Sequence, residues 1–437
     1  MKLLSLTIGG FRNLGTTVLE IADIIALVSP NNYGKSNLLN ALDLASSFIQ
    51  ASPKVRDEMM SRTDAVPLVK SLEEEPFSFY IEFEDPEAKP DYRFVRYGFS
   101  FAWVRDDGTG RRIIDETLLA SPIRGRWTSY LRRKEGLYRR GKDTRSFRKI
   151  SLDDNQLAVD VLAAVDSIEI NRTVRAIRSA TFAVCSTLDT SPRYSTLPID
   201  IGWEPLSDDD LVFDDGDLPR ALYRLKSVAP QKYEDFLFAA YTLFPTFEDI
   251  SVGAYELRSD IRERLTESIT GSADSDEVPL RIKDELYRVT IKDSALNQPV
   301  DISRMSSGTK RLFWLLANAI IAGEIGAACI GVEEVETSIH PKMTGQLLEA
   351  LHESLSGTPL LLTSHSPSLV QYLDPSSVYV GVPSDDGVAR FRRISRKSAS
   401  RLFDNARARG MGYGDYLFDL MSSDVDGLQA LVGYLEA

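Results

Sequence analysis

A loop of small and polar residues ending in Gly34, Lys35 and Ser36 follows the apolar run Ile24–Val28. Its spacing from Ser29 is that of a phosphate-binding loop, except that Ser29 stands where the first glycine is usual. Such a loop offers backbone N–H groups and a helix N-terminus to phosphates, a lysine to the β- and γ-oxygens, and a hydroxyl to Mg²⁺. The predicted nucleotide-binding residues are Asn31, Asn32, Gly34, Lys35, Ser36 and Asn37, with Ser36 also a metal ligand.

A second apolar run, Cys329–Val332, ends in two carboxylates, Glu333 and Glu334. A nucleotide hydrolase uses one carboxylate to hold Mg²⁺ and another group to orient or polarise the attacking water. We therefore predict that Glu333 is a metal ligand and that Glu334 is the catalytic base. Aspartate is usual at the first position, so the extra methylene of Glu333 leaves the metal geometry open.

Two further runs could contact the same kind of ligand. Ser306, Ser307 and Gly308 begin an apolar-periodic helix, where free N–H groups and hydroxyls suit a second anion contact, although they also suit an ordinary helix cap. His365 follows the apolar run at Leu360–Thr363 and could donate a hydrogen bond to a γ-phosphate oxygen. We predict that the first three bind the cofactor and that His365 is catalytic.

The elements that must position these runs alternate between strands and helices. Ile24–Val28 predicts a buried strand, and apolar spacing predicts helices from Ser36 to Ile49 and from Ser306 to Ala322. Several β-rich runs in residues 77–140 predict an antiparallel sheet. The chain is therefore predicted to be α/β, with a mixed sheet flanked by helices and an antiparallel β subdomain.

Four segments are predicted. Residues 1–150 form an N-terminal lobe that includes the antiparallel subdomain, and residues 279–385 form a C-terminal lobe. Between them, residues 151–278 form an inserted helical arm, because helical spacing runs from about Ser151 to Leu188 and from Leu218 to Leu243. The acidic stretch Asp208–Asp217 is predicted to be a solvated loop within the arm, and residues 386–437 a helical tail.

Composition excludes several other classes of protein. The 437 residues carry a net charge of −13, which argues against a surface that binds nucleic acid everywhere. Two cysteines and three histidines supply neither a disulfide framework nor a zinc cluster. No apolar stretch approaches the roughly 18 residues of a membrane helix, and the N-terminus lacks the pattern of a signal peptide. These features predict a cytoplasmic protein with no membrane partner.

Positive charge is concentrated between Arg124 and Lys149, which carries +9 and includes Trp127, Tyr130 and Phe147. One interpretation is a solvated strand face whose charges pair with the protein's own acids. The other is an anion-binding surface for nucleic acid or an acidic partner, because clustered arginines contact phosphates and aromatic rings stack on bases.

Taken together, the four motifs resemble those of ABC-type ATPases of the structural-maintenance-of-chromosomes (SMC), RecF and OLD group. Walker A corresponds to Ser29–Ser36, the signature to Met305–Arg311, Walker B to Cys329–Glu334 and the switch histidine to His365. The runs Asn31–Leu39 and Glu333–Pro341 are most similar to the OLD-like, AAA15/AAA21-type branch. The chain departs from the pattern at Ser29 and in lacking a clear Q-loop glutamine.

The resemblance implies Mg·ATP binding, slow ATP hydrolysis and a head-to-head homodimer or higher even oligomer. Only 57 residues follow Val380, so no Toprim nuclease is expected within the chain. Standalone heads of this kind resemble ATPase components of anti-phage defence systems, such as Septu- or PARIS-like modules, which control a separate effector such as a nuclease or toxin. The alternatives are a RecF-like DNA-repair ATPase that binds DNA directly and a non-hydrolysing, nucleotide-dependent scaffold.

Overall fold

The structure is a computed structural model of the chain. It describes every residue except 106, 142–145, 165–168, 195–198, 202–210, 212–216, 262, 265–279, 283–284, 383–385, 424 and 437. The chain folds into two compact units. The first unit contains Met1–Ser186, Gly326–Val335 and Gly357–Ala437, and the second contains Thr187–Ile325 and Glu336–Ser356.

Both units contain strands and helices. The strands are β1 (Lys2–Gly9), β2 (Thr17–Glu20), β3 (Ile24–Val28), β4 (Phe77–Glu84), β5 (Phe94–Ala102), β6 (Arg112–Ser121), β7 (Thr128–Arg132), β8 (Leu137–Tyr138), β9 (Arg148–Lys149), β10 (Phe182–Cys185), β11 (Ile199–Ile201), β12 (Phe247–Glu256), β13 (Leu280–Ile282), β14 (Glu285–Asp293), β15 (Val300–Asp301), β16 (Cys329–Val332), β17 (Leu360–Ser364), β18 (Val378–Gly381) and β19 (Phe391–Arg393). The helices are α1 (Lys35–Gln50), α2 (Pro53–Met60), α3 (Ala158–Ala163), α4 (Asn171–Arg178), α5 (Leu218–Val228), α6 (Pro230–Leu243), α7 (Ser307–Glu324), α8 (Thr344–Ser354), α9 (Pro367–Val370), α10 (Ala399–Ala408), α11 (Tyr413–Ser422) and α12 (Val425–Val432).

An antiparallel sheet in the first unit has the order β2-β1-β4-β5-β6-β7-β8-β9 among the described strands. Its inner face supplies aromatic side chains that pack against α1. Phe48 of the helix stacks on Phe99 and Phe101, with ring centroids 5.0 and 4.7 Å apart. Burying a side chain of this size contributes about 1.5–3 kcal/mol. The antiparallel sheet predicted for residues 77–140 is confirmed, and its core holds α1 in place.

A second sheet in this unit has the order β10-β16-β17-β3-β18-β19 within the described chain. Neighbouring strands from β10 to β18 are parallel, and β19 pairs antiparallel with β18. β3 lies inside the sheet, which explains its apolar residues on both faces. Ligands of such sheets bind outside the carboxyl ends of the strands. At that edge β3 leads to Ser29, β16 to Glu333 and β17 to His365.

The second unit contains a sheet of order β12-β14-β15, the pair β11-β13, and helices α5 to α8. Its core is aromatic: the ring of Phe313 on α7 lies 5.6 Å from Phe236, 5.8 Å from Phe244 and 6.2 Å from Phe247. These contacts bury one face of α7, whose N-terminus carries Ser306 as its cap. The position of the predicted anion contact is thereby tied to a hydrophobic core.

Most predicted elements are close to the observed ones. The strand Ile24–Val28 has the bounds expected, and the two principal helices begin or end within two residues of their predicted limits. The helical spacing predicted from Ser151 to Leu188 was wrong at its end, because Phe182–Cys185 forms a parallel edge strand beside β16. The predicted acidic loop Asp208–Asp217 lies outside the described residues except for positions 211 and 217. None of the helices in the described ranges has the length and apolar character needed to cross a bilayer.

Candidate functional site

The loop between β3 and α1 closes on Gly34, whose φ is +95°. A Cβ at this position would lie 2.7 Å from the Cβ of Ala389 and 2.9 Å from Oδ1 of Asn13. Both the left-handed backbone and the close neighbours therefore require glycine. Lys35, the next residue, begins the helix, so its backbone and that of Ser36 lie at the positive end of α1.

Lys35 directs its ammonium group back into the loop. The residue is 6% exposed. Its Nζ donates to the carbonyl oxygen of Ser29 at 2.9 Å, to Oγ of Ser29 at 3.2 Å and to the carbonyl oxygen of Pro30 at 3.3 Å. Ser29 stands where glycine is usual, and its hydroxyl oxygen adds a hydrogen-bond acceptor for the Lys35 ammonium group.

The serine fits because another glycine makes room for it. A Cβ at Gly381, on β18, would lie 2.8 Å from the Cβ of Ser29 and 2.6 Å from the ring of Tyr33. The Tyr33 hydroxyl also donates to the carbonyl oxygen of Val388 at 3.0 Å. Tyr33 was not singled out from the sequence, and its role in fixing the loop depends on residues some 350 positions away.

Ser36 and Glu333, predicted as metal ligands, are in contact. The Ser36 hydroxyl donates to Oε1 of Glu333. The backbone N–H of Glu333 donates to the carbonyl oxygen of Cys185 at 2.9 Å, which holds the carboxylate at the end of β16. The Glu333 carboxylate therefore reaches Ser36 at the N-terminus of α1, although its side chain is one methylene longer than that of the usual aspartate.

Glu334 and His365 lie side by side at the same edge. Oε1 of Glu334 is 4.0 Å from Nε2 of His365, and both side chains are about one-third exposed. Glu334 has a φ of +43°, which is rare for a residue with a side chain. Its backbone N–H donates to Oγ1 of Thr363 at 3.0 Å. Strained backbone of this kind is concentrated at functional sites, where the surrounding contacts maintain it.

A cavity of about 560 Å³ brings these groups together. It is lined by Asn31, Asn32, Tyr33, Gly34, Lys35, Ser36, Asn37, Glu333, Glu334, Thr363 and His365. Every site residue predicted in the first unit is present, together with Tyr33 and Thr363, which sequence reasoning missed. The cavity can accept an anionic ligand on one side and presents carboxylates on the other.

A second group missed from the sequence supports Asn37. Its Nδ2 donates to Oδ1 of Asn13 at 2.7 Å, and Arg12 donates to its Oδ1 at 3.1 Å. Arg12 has a φ of +50°. The segment Gly9–Gly15 carries two adjacent glycines and polar residues, which indicated a turn but not a partner for the phosphate-binding loop.

The remaining predicted residues lie in the second unit and do not line the cavity. Ser306 caps α7, because its Oγ accepts the backbone N–H of Thr309 at 3.1 Å. Ser306 and Ser307 are exposed. A Cβ at Gly308 would lie 2.6 Å from the carbonyl oxygen of Ser338, so this position requires glycine for packing as well as for any ligand.

The two basic residues that follow turn away from the helix end. Nζ of Lys310 donates to Oγ of Ser191 at 2.7 Å, and the Arg311 guanidinium donates to the carbonyl oxygen of Thr187. The hydroxyl of Tyr194 donates to the carbonyl oxygen of Lys310. The segment 187–194 therefore holds the first turn of α7 and leaves the two serines at its surface.

The basic segment Arg124–Lys149 has mixed roles. Arg124 pairs with Glu82 and, at 3.5 Å, with Glu20. Arg133 is structural: it donates to the carbonyl oxygens of Gln156 at 2.5 Å and Asp153 at 2.7 Å. The guanidinium groups of Arg132 and Arg139 both lie over the ring of Phe147, 4.9 and 4.6 Å from its centre, and Arg132 also pairs with Glu135 at 3.3 Å.

Comparison with solved structures identifies the architecture. An Smc head domain with an extended coiled coil, bound to the C-terminal domain of ScpA and derived from Pyrococcus furiosus, aligns with a TM-score of 0.50 and 13% identity over 93% of this chain and 99% of its own. The chain therefore has the fold of an SMC head domain. An SmcHead bound to the C-winged helix domain of ScpA aligns at a TM-score of 0.49, with 15% identity over 91% of this chain and all of its own.

One sequence family also matches part of the chain. Residues 236–371 match the family described as "AAA domain, putative AbiEii toxin, Type IV TA system". The match includes the predicted signature, the two carboxylates and His365. No curated protein is similar enough in sequence to count as a match.

Proposed function

We propose that the protein binds Mg·ATP in the cavity at the end of β3 and hydrolyses it. The observation that carries this proposal is the contact between Ser36 and Glu333, beside Lys35, in a cavity that also contains Glu334 and His365. Position 34 carries no side chain, which leaves backbone N–H groups accessible to phosphate oxygens.

The residues fit both parts of the ligand. A serine hydroxyl and a glutamate carboxylate are oxygen ligands, which Mg²⁺ prefers. When bound, the metal would neutralise charge on the phosphate oxygens. Lys35 provides a positive charge that is already directed into the loop.

Glu334 and His365 are placed for the chemical step. A carboxylate at the cavity edge can accept a proton from water that attacks the γ-phosphorus. His365, 4.0 Å from that carboxylate, can orient it and donate to a phosphate oxygen. The ADP leaving group would remain in the phosphate-binding loop until release.

The test is the thermal shift produced by Mg·ATP. A ligand at 100 times its dissociation constant stabilises the folded state by about 2.7 kcal/mol. Lys35→Ala should abolish most of the shift, whereas Lys54→Ala, an exposed lysine on α2, should leave it unchanged. An equal shift in parent and Lys35→Ala would contradict the proposal. ATP binding without phosphate release would favour a non-hydrolysing scaffold instead.

The proposed assembly is a head-to-head homodimer or higher even oligomer. Each nucleotide would contact Lys35 and Ser36 of one protomer and Ser307 and Gly308 of another. The exposure of Ser306 and Ser307 at the start of α7 supports this arrangement, because the helix end remains available to a ligand. Nucleotide would then control association of the heads.

Within such an assembly, the protein would act as the ATPase or sensor of an anti-phage defence system that controls a separate nuclease or toxin. The family matching residues 236–371 includes toxin–antitoxin systems in its description, which supports a link to effector control. Co-expression with the product of the adjacent reading frame tests it. An effector activity that changes with ATP and is insensitive to Lys35→Ala would contradict ATP-dependent control by this chain.

The alternative function is direct DNA binding, as in a RecF-like repair ATPase. Arg132 and Arg139 favour it, because both guanidiniums flank one ring on the basic segment. Binding should weaken log-linearly with salt, with a slope of about −0.7 to −0.9 per phosphate contacted. Arg132→Glu/Arg139→Glu should make the slope shallower. Arg133 should be left intact, because its contacts hold the fold.

A further inference from the structure

A second cavity, of about 340 Å³, lies within the second unit. It is formed by the ends of β12 and β14 and by the stretch from β15 to Arg304. Its lining among the described residues consists of Tyr255, Leu286, Tyr287, Arg288, Asp301, Ser303 and Arg304. The volume falls in the range of small-molecule sites, about 300–1,000 Å³.

The aromatic side chains of this cavity differ in how firmly they are held. The ring of Tyr287 packs on Tyr223 with centroids 5.0 Å apart, and its hydroxyl donates to Glu285 at 2.9 Å. Tyr255 is 54% exposed. Its ring lies over the same strand, 3.6 Å from the Cβ position of Gly253. One face of the Tyr255 ring therefore lies against the strand at Gly253, and the side chain remains exposed enough to contact a ligand.

The charged side chains are also unequal. Nε of Arg288 donates to Oδ2 of Asp301 at 2.5 Å, and the other carboxylate oxygen accepts from the backbone and hydroxyl of Ser303 at 2.8 and 2.5 Å. The side chain of Arg304 is exposed and makes no hydrogen bond or ion pair with the residues that the structure describes. The lining therefore carries an excess positive charge on a protein of net charge −13.

We propose that this cavity binds a nucleotide unit, with its base stacked on Tyr255 and its phosphate on Arg304. Tyrosine stacks on any base, and a guanidinium binds phosphate with paired hydrogen bonds. The unit could belong to single-stranded nucleic acid or be a free mononucleotide. These two sources share the same chemistry.

The site adjoins the predicted signature along the chain. Arg304 precedes the cap residue Ser306 by two positions, and the backbone N–H of Met305 donates to the carbonyl oxygen of Ile302 at 2.9 Å. A ligand on Arg304 would therefore act on the start of α7. This inference deepens the proposed function and rests on it for the link to ATP, but the binding itself does not depend on the phosphate-binding loop.

The test measures binding without ATP, by fluorescence anisotropy of a fluorescein-labelled twelve-nucleotide oligo(dT), with thymidine monophosphate as competitor. Tyr255→Ala should weaken binding about 5- to 150-fold, since stacking contributes about 1–3 kcal/mol per base. Arg304→Ala should make the salt slope shallower by about 0.7. Tyr255→Phe, which keeps the ring, and Phe238→Ala, which removes an aromatic side chain 71% exposed on α6, should bind as the parent does.

Each outcome decides the assignment. Displacement of the oligonucleotide by thymidine monophosphate supports a free nucleotide as ligand, and binding of the oligonucleotide alone supports a strand. Unchanged affinity in both Tyr255→Ala and Arg304→Ala, or no binding of the labelled oligonucleotide by the parent at about 50 mM salt, overturns the proposal. Neither of these results affects the Lys35→Ala test, so the two proposals can fail separately.

Discussion

The left-handed backbone of Glu334 should lower the free energy of unfolding of the protein. Its φ of +43° places a residue with a side chain in the left-handed region, which costs about 1–2 kcal/mol. Glycine adopts this conformation without that penalty. Replacing Glu334 by glycine should therefore leave a more stable protein than replacing it by alanine, although both changes remove the carboxylate and keep the N–H that bonds to Thr363.

The magnitude follows from comparing two positions in the same unit. At Glu334, the glycine variant should exceed the alanine variant by about 1 kcal/mol in free energy of unfolding. Ser47 is exposed on α1 and has ordinary helical geometry. There the order should reverse, with glycine less stable than alanine by about 0.5–1 kcal/mol.

Urea unfolding of the four variants provides the measurement, with midpoints compared at equal slope. Both Glu334 variants should also lack ATP turnover. That result would indicate that the strained backbone serves to position the carboxylate and does not contribute to stability. If glycine is the less stable replacement at Glu334 as well as at Ser47, the positive φ carries no stored cost and this reasoning is refuted.

Two further predictions concern turnover and pH. Glu334→Gln should bind ATP but hydrolyse it slowly, and should accumulate nucleotide-dependent dimer in sedimentation. Adding Ser307→Asp should reduce the dimer, because it places a negative charge near the γ-phosphate, although an aspartate still suits a helix N-terminus. Hydrolysis at the parental rate by Glu334→Gln would indicate another base. Burial raises the pKa of Glu116 from 4.5 to about 7, despite hydrogen bonds from Ala158 and Val159. The folded state then binds more protons than the unfolded one over this pH range. The free energy of unfolding of the parent, relative to that of Glu116→Gln, should therefore fall by roughly 3 kcal/mol between pH 4.5 and 8. A difference between the two proteins that does not vary with pH would contradict this.

Much of the fold could be predicted because its signals are local. The apolar run Ile24–Val28 and the helical spacing after Ser36 specify a strand, a loop and a helix, and the observed elements agree closely. The strand Phe182–Cys185 was missed for a physical reason. It is a four-residue apolar run next to helices, and such a run has too little length for periodicity to distinguish strand from helix.

The candidate site was predicted less evenly. Glycine, lysine and serine at a strand–helix junction carry their chemistry in their own spacing, so they could be named from the sequence. Tyr33 and Asn13 act by holding the loop, and their partners lie elsewhere in the chain. The basic segment shows the same difference. Arg133 looks like its neighbours in the sequence, but its guanidinium is hydrogen-bonded to the backbone carbonyls of Gln156 and Asp153.

By itself, the sequence determined which groups could bind phosphate and which local elements carry them, because motif spacing and hydrophobic periodicity act over a few residues. Only the tertiary structure decided that Ser36 meets Glu333 across 297 positions, that Ser29 fits opposite Gly381, and that Glu334 has a left-handed backbone. The order of parallel strands sets the first two of these relations. That order results from packing both faces of a sheet at once, so no local pattern encodes it.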